Sequence, residues 1–307
     1  MHTAITVAVF FEIQPYVLWP YVAGAALTLI TLFATRNHFS QASGWDKILA
    51  IGGLCLAAPF AAFGAEHLTI ARAIAPMVPS WVPWHLFWAY FVGIALIAAA
   101  LSIATQIQVR LSCTLLGSML FFFVISLHIP RIIANPRDRF AWAVALRDLS
   151  FAGGAWALAG SQSEKSRSNG TSRMITIGRL VIAIAAIFFA VEHFLHPAAL
   201  AGVPLEKLTP VWIPGRLIVG YLTGALLLGA GISLLLGKNP KTAATYLGAW
   251  VLLVVLLVYL PMVLAIPSSA DGGAKIEGLN YFFDTLLYSG AVLALATALP
   301  RSSRATG

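Results

Sequence analysis

Several ionisable side chains stand inside, or at the ends of, long apolar runs: Glu66, His67, His128, Arg131, Arg147, Asp148, Glu192, His193 and Asp284. A charged side chain at mid-membrane costs about 2.5–3.5 kcal/mol, against roughly 0.3–0.6 kcal/mol returned by each Leu or Ile. Acids and imidazoles kept at that cost bind and pass protons, hold a polar ligand, or brace helices through hydrogen bonds. A metal is a further reading for the segment EHFLH, where His193 and His196 share a helix face at i,i+3. The order differs from the H-E-x-x-H of zinc peptidases. Ile70 stands where a matching first-segment histidine would be, so the metal reading is weak.

These residues recur in order along the chain. FGAEHL at 63–68 matches FAVEHF at 189–194, and Pro79-Ser-Trp81-Val-Pro83 matches Pro210-Val-Trp212-Ile-Pro214. Tyr90 and Gly93 match Tyr221 and Gly224, Pro130 matches Pro261, and Asp148 with Gly154 matches Asp284 with Gly290. The offsets rise in steps, 126 (192 − 66), 131 (210 − 79) and 136 (284 − 148), as two short insertions between helices would produce. An internal repeat is therefore expected.

The elements that must position these groups follow from composition. Of 307 residues, 60% are hydrophobic and 10% charged, and mean hydropathy is +0.87. A soluble domain carries about 25% charged residues. The partner implied first is the lipid bilayer, and the fold class is an all-α polytopic membrane bundle. Apolar runs predict nine helices, near 16–35, 47–69, 85–109, 111–132, 140–160, 174–196, 215–237, 242–266 and 279–299. The repeat groups eight of them into two parallel four-helix bundles, 47–160 and 174–299. An N-terminal helix and loop occupy 1–46, a polar linker 161–173 and a polar tail 300–307. Four helices per copy put the acids of both copies toward the same side of the membrane.

The net charge of +8 comes from Lys and Arg scattered singly between apolar runs, which excludes a nucleic-acid surface. Counting Lys and Arg by side gives eleven against eight, which favours N-terminus outside and C-terminus inside. The N-terminal stretch lacks a basic n-region, so no cleavable signal is expected. Cys55 and Cys113 differ in expected depth by roughly 9 Å at about 1.5 Å per residue, beyond the roughly 7 Å that a disulfide spans. Each P-x-W-x-P loop reads as an aromatic anchor at the interface, or as a lid over the Glu-His group. In the first copy His128 stands where the second has Tyr259, and Arg147 accompanies Asp148 where the second has Phe283. The better-formed polar pocket is therefore expected in the first copy, built from Glu66, His67, His128, Arg131 and Asp148, with Asp284 lacking an adjacent base.

The Gly/Ala-x-Glu-His ends at Gly64–His67 and Ala190–His193 resemble those of the DoxX/DoxD-like bacterial membrane proteins. So do the Val-Pro-x-x-Val-Pro loop at 78–83 with its counterpart at 208–214, the Tyr-x-x-Gly pairs at 90–93 and 221–224, and LRDLSFAGGAWAL at 146–158. The resemblance covers roughly residues 47–299, as a tandem duplication. It implies a multi-pass protein of the bacterial inner membrane that serves as an accessory quinone-linked redox subunit with a redox partner protein. Alternatives are a proton-coupled carrier of small solutes and a structural or assembly factor without chemistry.

Overall fold

The computed structural model describes residues 14–162, 173–203, 206–267 and 270–300. Residues 1–13, where a signal segment was in question, most of the 161–173 linker and the tail from 301 lie outside the described residues.

Among the described residues the chain is all-α, with one isolated β-bridge, Ala199 to Leu208. The long helices are α1 Pro15–Gln41, α2 Trp45–Thr69, α3 His85–Thr105, α4 Val109–Ala134 and α5 Arg139–Ser161. They continue with α6 Arg173–Leu195, α7 Arg216–Leu236, α8 Pro240–Leu264 and α9 Gly272–Ala298. Eight of them are long and apolar enough to cross a membrane, which makes this a polytopic membrane protein. The exception is α5, which has the length at 23 residues but carries Arg139, Arg147 and Asp148. Protein surrounds it: α5 packs on α4, α6 and α9.

Local sequence explains the ends. Asp138 and Asp271 cap α5 and α9, each side chain accepting the N–H three residues on, from Ala141 at 3.1 Å and Ala274 at 2.8 Å. α7 stops at Gly237, whose φ of 69° lies in the left-handed region. Three boundaries differ from the apolar-run expectation by four residues or more, and the first is that α3 stops at Thr105 rather than near 109, where Gln106 takes a left-handed φ of 60°. α1 continues to Gln41, because its polar end needs no burial. α9 starts at Gly272 rather than near 279, because the Asp271 cap extends the helix through polar residues that hydropathy alone leaves out.

α4 and α8 share a departure from regular helix. Val124–His128 and Val255–Tyr259 are π-helical, and each is followed by a proline in the first helical positions beyond, Pro130 and Pro261. A π segment inserts one extra residue in the turn and re-aims the side chain that ends it. Those side chains are His128 and Tyr259.

The helices of 47–160 and 174–299 interlock. α5 packs on α6, α9 packs on α2, and α5 crosses α9 in the middle. Small residues let the backbones meet. A Cβ on Gly154 would stand 2.5 Å from Ala291 Cα, and one on Gly290 would stand 2.6 Å from the Cys55 carbonyl carbon. Leu56, Ala152, Ala155 and Val292 are buried along these crossings, whereas Leu29, Ile94, Ile218 and Leu257 face outward, as lipid contact requires. Cys55 and Cys113 are buried and unpaired.

Candidate functional site

The first halves of α5 and α9 start on the same side of the bundle, and their side chains meet across the gap between them. Arg147 is the hub. Its Nε donates to Asp148 Oδ1 at 3.3 Å, and its Nη1 donates to Asp284 Oδ2 at 2.5 Å. On the far side of Asp148, His128 donates from Nε2 to Oδ2 at 2.9 Å. One continuous run, His128–Asp148–Arg147–Asp284, thus ties α4 to α5 and α5 to α9. With His128 neutral, it holds two carboxylates against one guanidinium.

The expectation that Asp284 lacks a base is corrected. Its own helix offers Phe283, but the interlocked packing brings in Arg147 from the other set of helices. Asp284 is also deeper than expected, since α9 begins seven residues before the apolar run starts.

The other acids take separate partners. Glu66, at the end of α2, accepts from Asn280 Nδ2 of α9 at 3.3 Å. Glu192, at the end of α6, pairs with Arg139 of α5 at 2.6 Å. In both cases a carboxylate on the first helix of one set reaches the last helix of the other. Arg131 leaves the expected cluster: it sits beyond Pro130, 58% exposed, and pairs with Asp138 at 3.3 Å. The Asp138 carboxyl lies in the loop. The Ala141 N–H, and Arg131 beside it, hold it below the usual carboxylate range. His67 takes a different partner, its Nδ1 donating to the Phe63 carbonyl at 2.8 Å. The five residues of 47–160 are therefore not joined in one hydrogen-bonded cluster: among them only His128 and Asp148 are paired with each other.

The metal reading fails on geometry. His193 Nδ1 donates to Phe189 O at 2.6 Å, and its Nε2 accepts the Gly202 N–H at 2.9 Å, so both ring nitrogens are committed. His196 is exposed, and among the described residues no group of His, Cys, Asp and Glu could hold a metal ion.

No family model, curated protein or solved structure matches this chain.

Above the Arg147–Asp284 pair lies a cleft of about 370 Å³. Phe140, Val144 and Ile276 give it apolar walls, and Arg147, Asn280 and Asp284 a polar floor. At its rim Lys207 pairs with Glu277 at 2.5 Å and stands 5.3 Å from the centre of the Tyr281 ring. Asn280 is among the lining residues, and its Oδ1 is buried without a hydrogen-bond partner. The cleft lies between the two sets of helices, not within the first as expected.

The sequence reading passed over Arg139, Asn280 and the Lys207–Glu277 pair. Arg139 was visible as a base following a capping Asp, but nothing in the sequence pointed it at Glu192. Asn280 carries no charge and stands at the very start of the helix expected at 279–299, where nothing in its surroundings marks it as a partner for Glu66.

Proposed function

We propose that this protein is a membrane subunit that binds a small amphipathic ligand of the quinone type in the cleft between α5 and α9 and exchanges protons with it. The carrying observation is the Arg147–Asp284 pair on the floor of a cleft whose walls are apolar. A quinone head group is a ring with two polar edges, and the residues present fit it. Arg147 offers N–H donors, Asp284 and Tyr281 line the same space as groups that exchange protons, and Phe140, Val144 and Ile276 cover the ring faces. When bound, such a group supplies two-electron, two-proton redox chemistry. The chain's own part is to orient the ring and to hold protons. Asp284 takes up or releases one at the cleft floor, and Arg147 keeps it close to Asp148 and His128, the next protonatable groups along. The electrons come from or go to a redox partner protein.

The setting of this reading is the bacterial inner membrane, with the N-terminus outside and the C-terminus inside, as a tandem duplication of a DoxX-like unit. The duplication is supported by paired helices of equal length, 21 residues in α3 and α7, and by the paired π segments with their prolines. The orientation is supported by the Lys/Arg balance. It predicts a cytoplasmic signal from a reporter fused after Gly307, and periplasmic labelling of a cysteine in the 161–173 linker would overturn it.

The ligand is tested by extracting the protein in mild detergent and analysing bound lipid-soluble compounds. A quinone should copurify with the natural chain and be lost from Asp284→Asn and Arg147→Lys variants that elute as folded protein. Its absence from the natural chain, in protein that rebinds none when quinone is added, would overturn the reading. The interlocked halves and the π-helical breaks before Pro130 and Pro261 favour a second reading, a proton-coupled carrier. Proton-dependent solute uptake in proteoliposomes without quinone binding would select it.

A further inference from the structure

We propose that the end of α2 around His67 is a second binding site, one that takes the N–H of a secondary amide, from a small N-acyl compound or from an extended peptide segment. The argument starts in the other half of the molecule, where the equivalent position is filled. His193 Nδ1 donates to the carbonyl four residues back, which leaves Nε2 as a lone pair, and that lone pair accepts the Gly202 N–H at 2.9 Å. The Tyr259 hydroxyl donates to the Ala201 carbonyl at 2.7 Å. Ala201 O and Gly202 N belong to one peptide unit. His193 and Tyr259 therefore read both polar edges of a single amide, buried where Ala201 is 2% and His193 1% exposed.

His67 is built the same way. Its Nδ1 donates to Phe63 O at 2.8 Å, so its Nε2 is likewise a lone pair. It lies in the last turn of α2 after a glutamate, as His193 does in α6. Its Cβ faces Gly93 of α3 as that of His193 faces Gly224 of α7, at 2.9 and 3.0 Å from the position of an added Cβ. His128 ends the first π segment where Tyr259 ends the second. The connecting chain differs. After α6 it runs through Ala199–Val203 and inserts the Ala201–Gly202 amide. After α2 it turns at once into the short helical pieces Ala71–Ile74 and Ala75–Met77. Among the described residues nothing donates to His67 Nε2, and the side chain is partly exposed, not sealed. The second half thus supplies an amide N–H to its histidine from its own chain, while in the first half the corresponding Nε2 is left open and His128, at the position of Tyr259, turns to Asp148 instead. The inference does not rest on the quinone reading, since neither His67 nor His128 lines the α5–α9 cleft.

The test is nitrogen NMR on the full chain, labelled at histidine and at the phenylalanine carbonyl and held in lipid nanodiscs. His67 and His193 both couple across a hydrogen bond to a phenylalanine carbonyl, and His67 is the one whose coupling disappears in Phe63→Leu. The probes are N-acetylalanine N-methylamide, tetra-alanine, and methyl O-acetyl-lactate, which keeps the carbonyls but has no N–H. The expected result is an unprotonated His67 Nε2 that shifts saturably with the amides while His193 stays still, and an ester weaker by about tenfold. Saturation by tetra-alanine at much lower concentration than the small amide assigns a peptide segment as the source, and comparable saturation assigns a small ligand. A proton on His67 Nε2, no saturable shift with either amide, an ester equal to the amides, or an equal response of His193 would each overturn the proposal.

Discussion

At the scale of single residues, the molecule places one guanidinium between two carboxylates in a mostly buried setting. Side-chain exposure is 20% for Arg147, 16% for Asp148 and 10% for Asp284. Removing one partner of a buried ion pair is costly, because the other charge stays in place unpaired, and such losses run to about 3–5 kcal/mol. Arg147→Leu should therefore destabilise strongly in thermal unfolding of the detergent-solubilised chain. Adding Asp284→Asn should recover part of the loss. If the double variant melts below the single one, charge compensation is not what Arg147 provides. Asp138 makes a separate pH prediction outside the membrane-spanning helices. Its folded carboxyl is held below the ordinary value by the Ala141 N–H first and Arg131 after it, so the stabilisation is complete above the unfolded pKa of about 3.9 and is lost as pH falls through the lower folded value. Protection of the Ala141 amide from hydrogen exchange should fall in that acid window. In Asp138→Asn the neutral amide still caps, and the pH dependence should vanish.

At the scale of elements, two devices set the site. The first is the close crossing of α5 and α9. Gly154 lies against the Ala291 backbone, which cannot move aside as a flexible side chain can. Gly154→Val should push the helices apart at a cost of about 1–3 kcal/mol, the usual range for overpacking. It should also weaken the Arg147–Asp284 contact at 2.5 Å. Gly229, which has open space around it, is the control and should accept Ala with little change in melting temperature. A Gly154→Val protein as stable as the natural chain would show that the crossing is looser than drawn. The second device is the π segment ending at His128. The π turn already absorbs one extra residue, so inserting one alanine between Ser126 and Leu127 should turn His128 by about 100° away from Asp148, at 3.6 residues per turn. The His128 imidazole would then lose its coupling to the carboxylate, which nitrogen NMR reads directly.

At the scale of the whole molecule, the interlocking of helices has a consequence for assembly. Because α5 buries its face on α6, and α9 buries its face on α2, neither half can cover its own apolar and charged surfaces. Expressed alone, residues 1–162 or 173–307 should be degraded or aggregate. Expressed together as two chains, they should copurify as a complex with the melting behaviour of the intact protein. Stable, monodisperse halves in isolation would show that each set of four helices closes on itself.

Composition and spacing were enough to place the chain in a membrane, to count its long helices and to single out its acids and histidines. Burying a charge among apolar residues is costly wherever it occurs, so Glu66, Asp148, Glu192 and Asp284 stand out in one dimension. Spacing also sets Glu66 against Glu192 and Asp148 against Asp284 as matching positions, because each pair sits in a similar run of neighbours. Partners are a different kind of information. Arg147 reaches Asp284 across 137 positions of chain, and Asn280 reaches Glu66 across 214. Neither distance leaves a local trace. Hydropathy cannot see an uncharged Asn as a partner, and it cannot distinguish an arginine that turns inward, such as Arg147, from one that turns to water, such as Arg131. Those choices belong to the crossing of α5 with α9, where glycines let two backbones close and the side chains on either side of the contact meet whatever the other helix presents. The sequence therefore carried which residues needed partners, and the tertiary packing alone decided which partners they found, because pairing depends on helix faces brought together by contacts far apart in the chain.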